Sequence, residues 1–395
     1  MLSLAWEREV KPNMKRYKAY QVRLYPTLDQ QQLILKTFGC TRFVYNYFLS
    51  KQFASPSLYL SSYGCHLELS SLKKTFPWLK EVDSAALYSS TAHLDVAFAR
   101  VRSSLSGMPR YKRYGVHPSF TSPCTYGPYK RKSYASVQMD CDKKLLKLPK
   151  LHQVKYRGYR SLKTLPGKIK SVTVRMMEKR FYVSILVEEE IEVPAFSTRS
   201  FVGLDLGLKD IVVTSEGKRF SNPKPLQTFE KKLRGLQRGL VRKEKGSHNY
   251  IKMKDKISRL YLKIRNARKY YFHLLTNQLV QENDCLFMEH LHSTIMMQNK
   301  RLAKSIGNAS FYALKEILTY KCLWANKRLI QVSSFYPSSQ LCSNCGHKNS
   351  EMKDLGKRVY HCEECGAIID RDVNASLNIL KEGIDLFIEK ELKQI

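Results

Sequence analysis

Four cysteines stand in the order C-x2-C-x16-C-x2-C: Cys342, Cys345, Cys362 and Cys365. Tetrahedral Zn2+ needs four ligands, and each C-x2-C turn presents two thiolates from one tight loop. Gly346 and Gly366 follow the two pairs, where the backbone has to turn sharply. Four thiolates leave no open coordination position, so the predicted zinc is structural and holds a ribbon together. The other cysteines (Cys40, Cys65, Cys124, Cys141, Cys285 and Cys322) have no spacing logic and read as reduced thiols, several of them buried.

Three carboxylates stand where a carboxylate is costly. Asp205 lies inside the apolar run FVGLDLGL, flanked by Gly203 and Gly207. Glu289 closes another apolar run, LFME, and Asp372 opens the last periodic stretch just after the cysteines. Each has an ordinary reading: a satisfied structural Asp, a strand end, a helix N-cap. Together they can converge on divalent cations, because hard carboxylate oxygens suit Mg2+. Two such ions can activate a water and stabilise a leaving oxygen in phosphodiester cleavage.

The substrate class is set by charge. The chain has 395 residues with 68 Lys+Arg against 34 Asp+Glu, a formal charge of +34. Such an excess opposes compaction unless an anion neutralises it, and a nucleic-acid backbone is the obvious one. Hydrophobic residues make up 43% of the chain, which rules out a disordered basic tail. No apolar run is long enough for a membrane span, and the first residues lack the apolar stretch of a signal peptide. The expectation is a soluble, intracellular protein of two or three domains.

The elements that must position these groups follow from periodicity. Residues 16–26 alternate and read as a strand, after which Thr27 opens a helix over 28–54; a loop is expected at 55–66 and a second helix at 82–105. Residues 106–134 mix Pro, Gly, Tyr and Lys/Arg, as either a surface loop or a stacking and phosphate-contact segment. A hairpin is predicted over 169–187, turning at Glu178, Lys179 and Arg180, then an acidic patch (Glu188, Glu189, Glu190, Glu192) and a linker over 194–200. Strands are predicted over 201–214, 284–291 and 329–335, and helices over 228–281 (broken near Gly246–Ser247), 298–326 and 372–392. Met253, Ile257, Leu260, Ile264, Ala267, Tyr271 and Leu274 form an a/d seam. From Lys231 to Lys269 there are fifteen Lys/Arg. A charge run is usually a solvated face, but here cations far outnumber acids, so a nucleic-acid track is favoured.

Several motifs, in one order, carry a resemblance. FGCTRFVYNYFLSKQ (38–52), LDVAF (94–98), MPRYKRY (108–114), FVGLDLGLKD (201–210), LFMEHL (286–291), YPSSQLCSNCG (336–346) and DRDVNASLNIL (370–380) resemble the blocks of the TnpB (OrfB) family of transposon-encoded proteins, relatives of type V CRISPR effectors. The resemblance runs through nearly the whole chain. It implies a multidomain α/β and α+β fold: an RNase H-like RuvC nuclease domain with an inserted zinc ribbon, and a β-barrel wedge domain with an inserted helical recognition domain. The implied boundaries are 1–26 and 116–197 for the wedge, 27–115 for the recognition helices, 198–335 and 370–395 for the nuclease, and 336–369 for the ribbon.

The resemblance also implies an activity: RNA-guided cleavage of double-stranded DNA beside a short flanking motif. The implied catalytic triad is Asp205, Glu289 and Asp372, holding two Mg2+. Asp372 is preferred over Asp370 because Val373-Asn374-Ala375 follows it, and Arg371 and Asn374 would support it. Implied nucleic-acid contacts are Arg42, Tyr45, Asn46, Tyr88, Ser89, Arg110, Lys112, Arg113, Arg238, Arg242 and Lys243. The implied partners are a guide RNA from the transposon end and a DNA target, with one RNA on a monomer. The implied location is cytoplasmic and nucleoid-associated, or nuclear for a captured eukaryotic copy. Two departures stand out. His290 replaces the Asp that many relatives carry after the Glu, and Tyr88-Ser89 replaces a frequent Gln-Gln pair near the DNA-motif reader. The chain runs about twenty residues past Asn374, so no long basic tail is expected. The rival readings are a guided DNA-binding regulator that does not cut, and an unguided zinc-ribbon nucleic-acid binder.

Overall fold

The computed structural model describes residues 14–392, apart from 56–60, 130–131, 159–163, 197 and 355. The start of the 1–26 segment, part of the 55–66 loop, and Lys130 and Arg131 of the basic segment lie outside the described residues. The chain divides between residues 191 and 192 into two compact units.

The unit over residues 14–191 opens with β1 (Met14–Tyr25), α1 (Leu28–Ala54), α2 (Ser62–Thr75) and α3 (Ser84–Arg102). Eight strands follow: β2 (Ser119–Pro123), β3 (Tyr126–Tyr129), β4 (Lys132–Ala135), β5 (Gln138–Asp140), β6 (Leu145–Leu148), β7 (His152–Arg157), β8 (Lys168–Met177) and β9 (Arg180–Ile191). Seven strands form an antiparallel sheet in the order β2-β8-β9-β1-β7-β6-β5, and β3 and β4 make a hairpin. Alternation drives the sheet: Tyr20, Val22 and Leu24 of β1 point inward and pack with Val154, Val174, Val183 and Ile185. Among the described residues the edge strands β2 and β5 share no ladder. The β3–β4 hairpin continues one pair further, where Ser136 N–H donates to Thr125 O (3.0 Å) and Thr125 N–H donates to Ser136 Oγ (2.9 Å).

Pro26 ends β1, and Thr27 caps α1 in a reciprocal box with Gln30. The three helices share a core of Val44, Phe48, Leu49, Leu69, Leu79 and Leu87. Three expectations change. The predicted 55–66 loop becomes helix from Ser62, because Cys65, Leu69 and Leu72 bury one stripe that the small polar residues around them conceal. Within the segment over 106–134, residues 119–123, 126–129 and 132–134 form strands. Glu188, Glu189 and Glu190 of the acidic patch lie within β9, where Glu189 is buried against Arg16 (2.5 Å) and Tyr20 (2.5 Å).

The unit over residues 192–392 begins with β10 (Phe201–Asp205), β11 (Asp210–Thr214) and β12 (Arg219–Ser221), then α4 (Pro225–Val241) and α5 (His248–Glu282). Next come β13 (Cys285–Glu289), α6 (Ser293–Met296), α7 (Ala303–Ala309), α8 (Phe311–Trp324) and β14 (Arg328–Val332). The hairpin β15 (Val359–His361) and β16 (Ile368–Asp370) leads into α9 (Arg371–Leu392). The sheet order is β12-β11-β10-β13-β14. β10, β13 and β14 are parallel, while β11 and β12 run antiparallel. α5 and α8 pack on one face and α9 on the other. Burial on both faces explains why β10, β11 and β13 read as continuous apolar runs without alternation.

The α5 seam holds through Ile257, Leu260 and Ile264, which meet Leu233 of α4. It then changes partner: Phe272, Leu275 and Leu279 face the sheet and α8, leaving Ala267 and Leu274 exposed. The predicted helix over 298–326 is two helices, broken by Ser310 at φ 53°. No helix among the described residues is long and apolar enough to cross a membrane.

Candidate active site and metal centre

β10 and β13 run parallel in a register that pairs Leu204 with Met288. The next pair along is Asp205 and Glu289, so both carboxylates sit at the same ends of adjacent strands, on one face. α9 brings the third. Gly203 lies under the Ser376 carbonyl with no room for a Cβ, and Gly383 lies against the Phe287 ring in the same way. Asp372 stands one turn before Ser376, and Asp205 two residues beyond Gly203 on the same face. Two glycines thus let the helix ride close to the sheet and carry Asp372 to the strand ends.

The electrostatics agree. Asp205 holds its proton well above the usual carboxylate range: burial contributes most, then the facing Glu289 and Asp372, with Arg371 opposing. Burial also raises Glu289, against a hydrogen bond donated by the Ser338 hydroxyl. Asp372 faces Arg219 (3.5 Å) and Arg358 (3.8 Å). The competitor Asp370 is otherwise engaged. Its Oδ1 accepts from the N–H groups of Asp372 (3.0 Å) and Val373 (3.1 Å), and it pairs with Arg219 (2.5 Å). Asp370 therefore caps α9, not Asp372. The three carboxylates do not all come within the 4.8 Å that encloses the four thiolates. Facing acids that raise one another's proton affinity, with oxygen donors only, are a donor set that fits Mg2+.

The thiolates of Cys342, Cys345, Cys362 and Cys365 lie within 4.8 Å of one another and could hold a metal. Their knuckles repeat one pattern. Gly346 N–H donates to Cys342 O (2.9 Å) and Gly366 N–H to Cys362 O (3.0 Å), both glycines at positive φ (81° and 71°). The backbone N–H of Ala367 leads the effects that lower the Cys365 thiol to about 6. Tyr360, fully buried, donates to the carbonyls of Gln340 (3.2 Å) and His347 (2.9 Å) and ties the knuckles together.

α9 also clamps the entry to this ribbon. Asn374 accepts from Ser343 N–H (2.8 Å) and donates to Leu341 O (2.6 Å), while Asn378 donates to Ser338 O (2.8 Å) and Leu341 O (2.7 Å). Asn374 therefore serves the ribbon. Arg371 donates to Asp354 O (2.6 Å) and Lys357 O (3.1 Å) while its charge reaches Asp205. Sequence reasoning missed Ser338, Arg219, Arg358 and Asn378. Ser338 and Asn378 lie inside quoted motifs; Arg219 and Arg358 carried no signal.

The predicted nucleic-acid residues separate into held and free. Tyr45 is buried, with Lys112 Nζ 4.0 Å from its ring centre. Asn46 pins the Lys112 backbone through both carbonyl (3.0 Å) and N–H (2.8 Å). Arg42 lies over Tyr114 (5.1 Å). Tyr88 meets His66 edge-on (4.6 Å), beside the half-buried Ser89. Arg110, Arg113, Arg238, Arg242 and Lys243 are exposed.

Comparisons with known proteins place this arrangement. Residues 184–300 match a family described as "Probable transposase", residues 311–379 a "Cas12f1-like, TNB domain", and residues 14–55 a "Helix-turn-helix domain". The last segment here is one strand and one long helix. A Streptomyces pristinaespiralis protein named "Putative RNA-guided DNA endonuclease" is 32% identical over 93% of this chain and 89% of its own length. InsQ of Escherichia coli K12, with the same description, is 30% identical over 94% of this chain and 93% of its own length. A Cas12f1 chain, solved in complex with its guide RNA and target DNA, superposes with a TM-score of 0.58 at 14% identity, over 92% of this chain and 98% of that one. The fold is thus a multidomain α/β architecture of the Cas12f kind. The chain belongs to the TnpB (OrfB) family of transposon-encoded proteins.

Proposed function

We propose that this chain is a transposon-associated, RNA-guided endonuclease that cuts double-stranded DNA beside a short flanking motif. The observation that carries the reading is the convergence of Asp205, Glu289 and Asp372 at one end of β10 and β13, with the Asp205 proton held by burial and then by its two acidic neighbours. The five-stranded sheet, with an antiparallel meander beside parallel strands, supports an RNase H-like RuvC domain over 198–335 and 370–395. The four cysteines would hold Zn2+ in a ribbon over 336–369. Residues 1–26 and 116–197 would be the wedge, and 27–115 the helical recognition domain.

Asp205, Glu289 and Asp372 would hold Mg2+, which supplies an activated water and stabilises the leaving oxygen when bound. Ser338 orients the Glu289 carboxylate by donating to it. Arg219 and Arg358 balance the charge of Asp372. The exposed cations Arg238, Arg242 and Lys243 on and just after α4 would follow the guide RNA or heteroduplex backbone, with sequence read by base pairing. A guided binder without cleavage would have no use for three converging acids, which disfavours that rival.

Asp205→Ala is the test. Cleavage of a guide-matched duplex in Mg2+ should vanish while guided binding persists. Equal cleavage by both proteins would remove the catalytic assignment.

A further inference from the structure

Arg219 stands in one row with two acids of the candidate site. The ladders pair Arg219 with Val213 and Val213 with Asp205, and Glu289 comes next across the sheet on β13. Residues so paired share a face, here the face that α9 covers. Two strand spacings, about 10 Å, separate Arg219 from Asp205. Asp372 touches Arg219 and acts on the Asp205 proton, so it lies between them. The guanidinium is anchored elsewhere. It holds Asp370 at 2.5 Å and Asp210 at 3.1 Å, and only leans on Asp372 at 3.5 Å. Asp210 reaches it through a β-bulge. The register shifts between Asp210 and Val212, and Ile211 and Val212 are both buried in the core with α5 and α8. The extra residue turns Asp210 to the face of Arg219.

One side chain of the edge strand β12 therefore grips the sheet through Asp210 and the head of α9 through its cap, Asp370. Only a planar guanidinium can hold two carboxylates at once and still face a third; an ammonium is a single point of charge. The grips are unequal in a telling way. A cation bound to Asp372 as closely as to Asp370 would compete with a metal ion for it. Held by two other acids, Arg219 keeps Asp372 ionised and aimed, and can release it without moving. We propose that Arg219 is a positioning residue for the metal site: through Asp210 and Asp370 it fixes where the Asp372 carboxylate stands, and so strengthens the binding of divalent cations. The proposal rests on the reading of the three acids as a metal site. Charge alone predicts the opposite, since a cation beside a ligand repels a metal ion and its removal would tighten binding.

The test uses the full chain freed of nucleic acid by high salt, with Mn2+ as the probe. Mn2+ takes the same oxygen donors as Mg2+, and its electron paramagnetic resonance signal separates free from bound ion. Arg219→Gln should weaken Mn2+ binding by about tenfold, the usual cost of losing a group that orients a metal ligand. Arg219→Lys keeps the charge without the fork and should weaken binding nearly as much; it decides the matter if Arg219→Gln does not fold. Asp210→Asn removes an anchor, leaves the three acids in place, and should weaken binding by less. Zinc content and Tm in metal-free buffer show that each variant is folded. Cleavage of a guide-matched duplex should lose kcat at an unchanged KM. Equal or tighter Mn2+ binding by Arg219→Gln overturns the proposal. Parent affinity in Arg219→Lys reduces the residue to its charge and overturns it too, and parent affinity in Asp210→Asn overturns the anchoring. Asp205→Ala separates the two readings. If it binds Mn2+ as the parent does, the metal reading fails and takes the proposal with it. If it loses Mn2+ while Arg219→Gln does not, Arg219 alone is ruled out.

Discussion

Gly203 of β10 lies directly beneath the carbonyl of Ser376 in α9, with the Leu380 nitrogen 2.8 Å from where its Cβ would be. That contact sets the height of the helix above the sheet, and hence the distance from Asp372 to Asp205.

Gly203→Ala should therefore do two things. It should destabilise the fold by about 2 kcal/mol or more, the usual cost of overpacking a filled interior. It should also reduce cleavage beyond what the lost stability explains, because Asp372 is lifted away. Denaturant midpoints and cleavage rates well below the midpoint separate the effects, and a neutral substitution would show that the helix does not bear on the sheet there.

The acidic cluster has a pH signature. Asp205 and Glu289 bind protons more tightly in the folded chain than in the unfolded one. That contribution to stability is full below about pH 4 and is lost as pH rises through the raised values. In metal-free buffer Asp205→Asn should be more stable than the parent at pH 7, with the gap closing toward pH 4. Urea midpoints at the two pH values check this; a less stable variant at pH 7 contradicts it.

Removal of the ribbon metal should be a folding event. Cys362 is fully buried, so Cys362→Ser should lose zinc by elemental analysis and expose the ribbon to protease. Retention of a full equivalent of zinc would break the ligand assignment.

Asn374→Ala leaves the cysteines intact but removes both bonds from α9 to the ribbon entry. About 1–3 kcal/mol should be lost, because the Ser343 N–H is left buried and unpaired. Zinc content should stay normal while cleavage falls, a pattern that loss of the metal itself would not produce.

In the other unit, Glu189→Ala leaves Arg16 facing an emptied pocket. The expected cost is about 3 kcal/mol, read from the thermal unfolding of the isolated substitution against the parent. A change within 0.5 kcal/mol would place the pair among weak surface bridges.

What could be read from the sequence was whatever depends on local spacing. The cysteine knuckles need only neighbours in the chain, and the apolar runs around Asp205 and Glu289 announce strands buried on two faces. The α1 cap at Thr27 is equally local. The rest depends on distant partners. Arg219 meets Asp210, Asp370 and Asp372, and nothing near it in the chain says so. Glu189 looks like part of a solvated acidic run until Arg16 and Tyr20 arrive from β1. Asp370 and Asp372 are two residues apart and both suit a cap, so only the hydrogen bonds of the folded helix assign them. The a/d seam of α5 stops where the helix leaves α4 for a different neighbour, a change that no repeat in the helix itself encodes.

One consequence concerns timing. Asp370 is at once the last residue of the ribbon hairpin and the cap of α9. Asp372 is synthesised 372 − 205 = 167 residues after Asp205. A chain still emerging from the ribosome therefore holds two of its acids at the strand ends without the third. The third follows the hairpin that carries the second pair of thiolates. Under the proposed function, the cluster of acids is completed last in the order of synthesis, and cleavage would have to wait for the ribbon segment to be made.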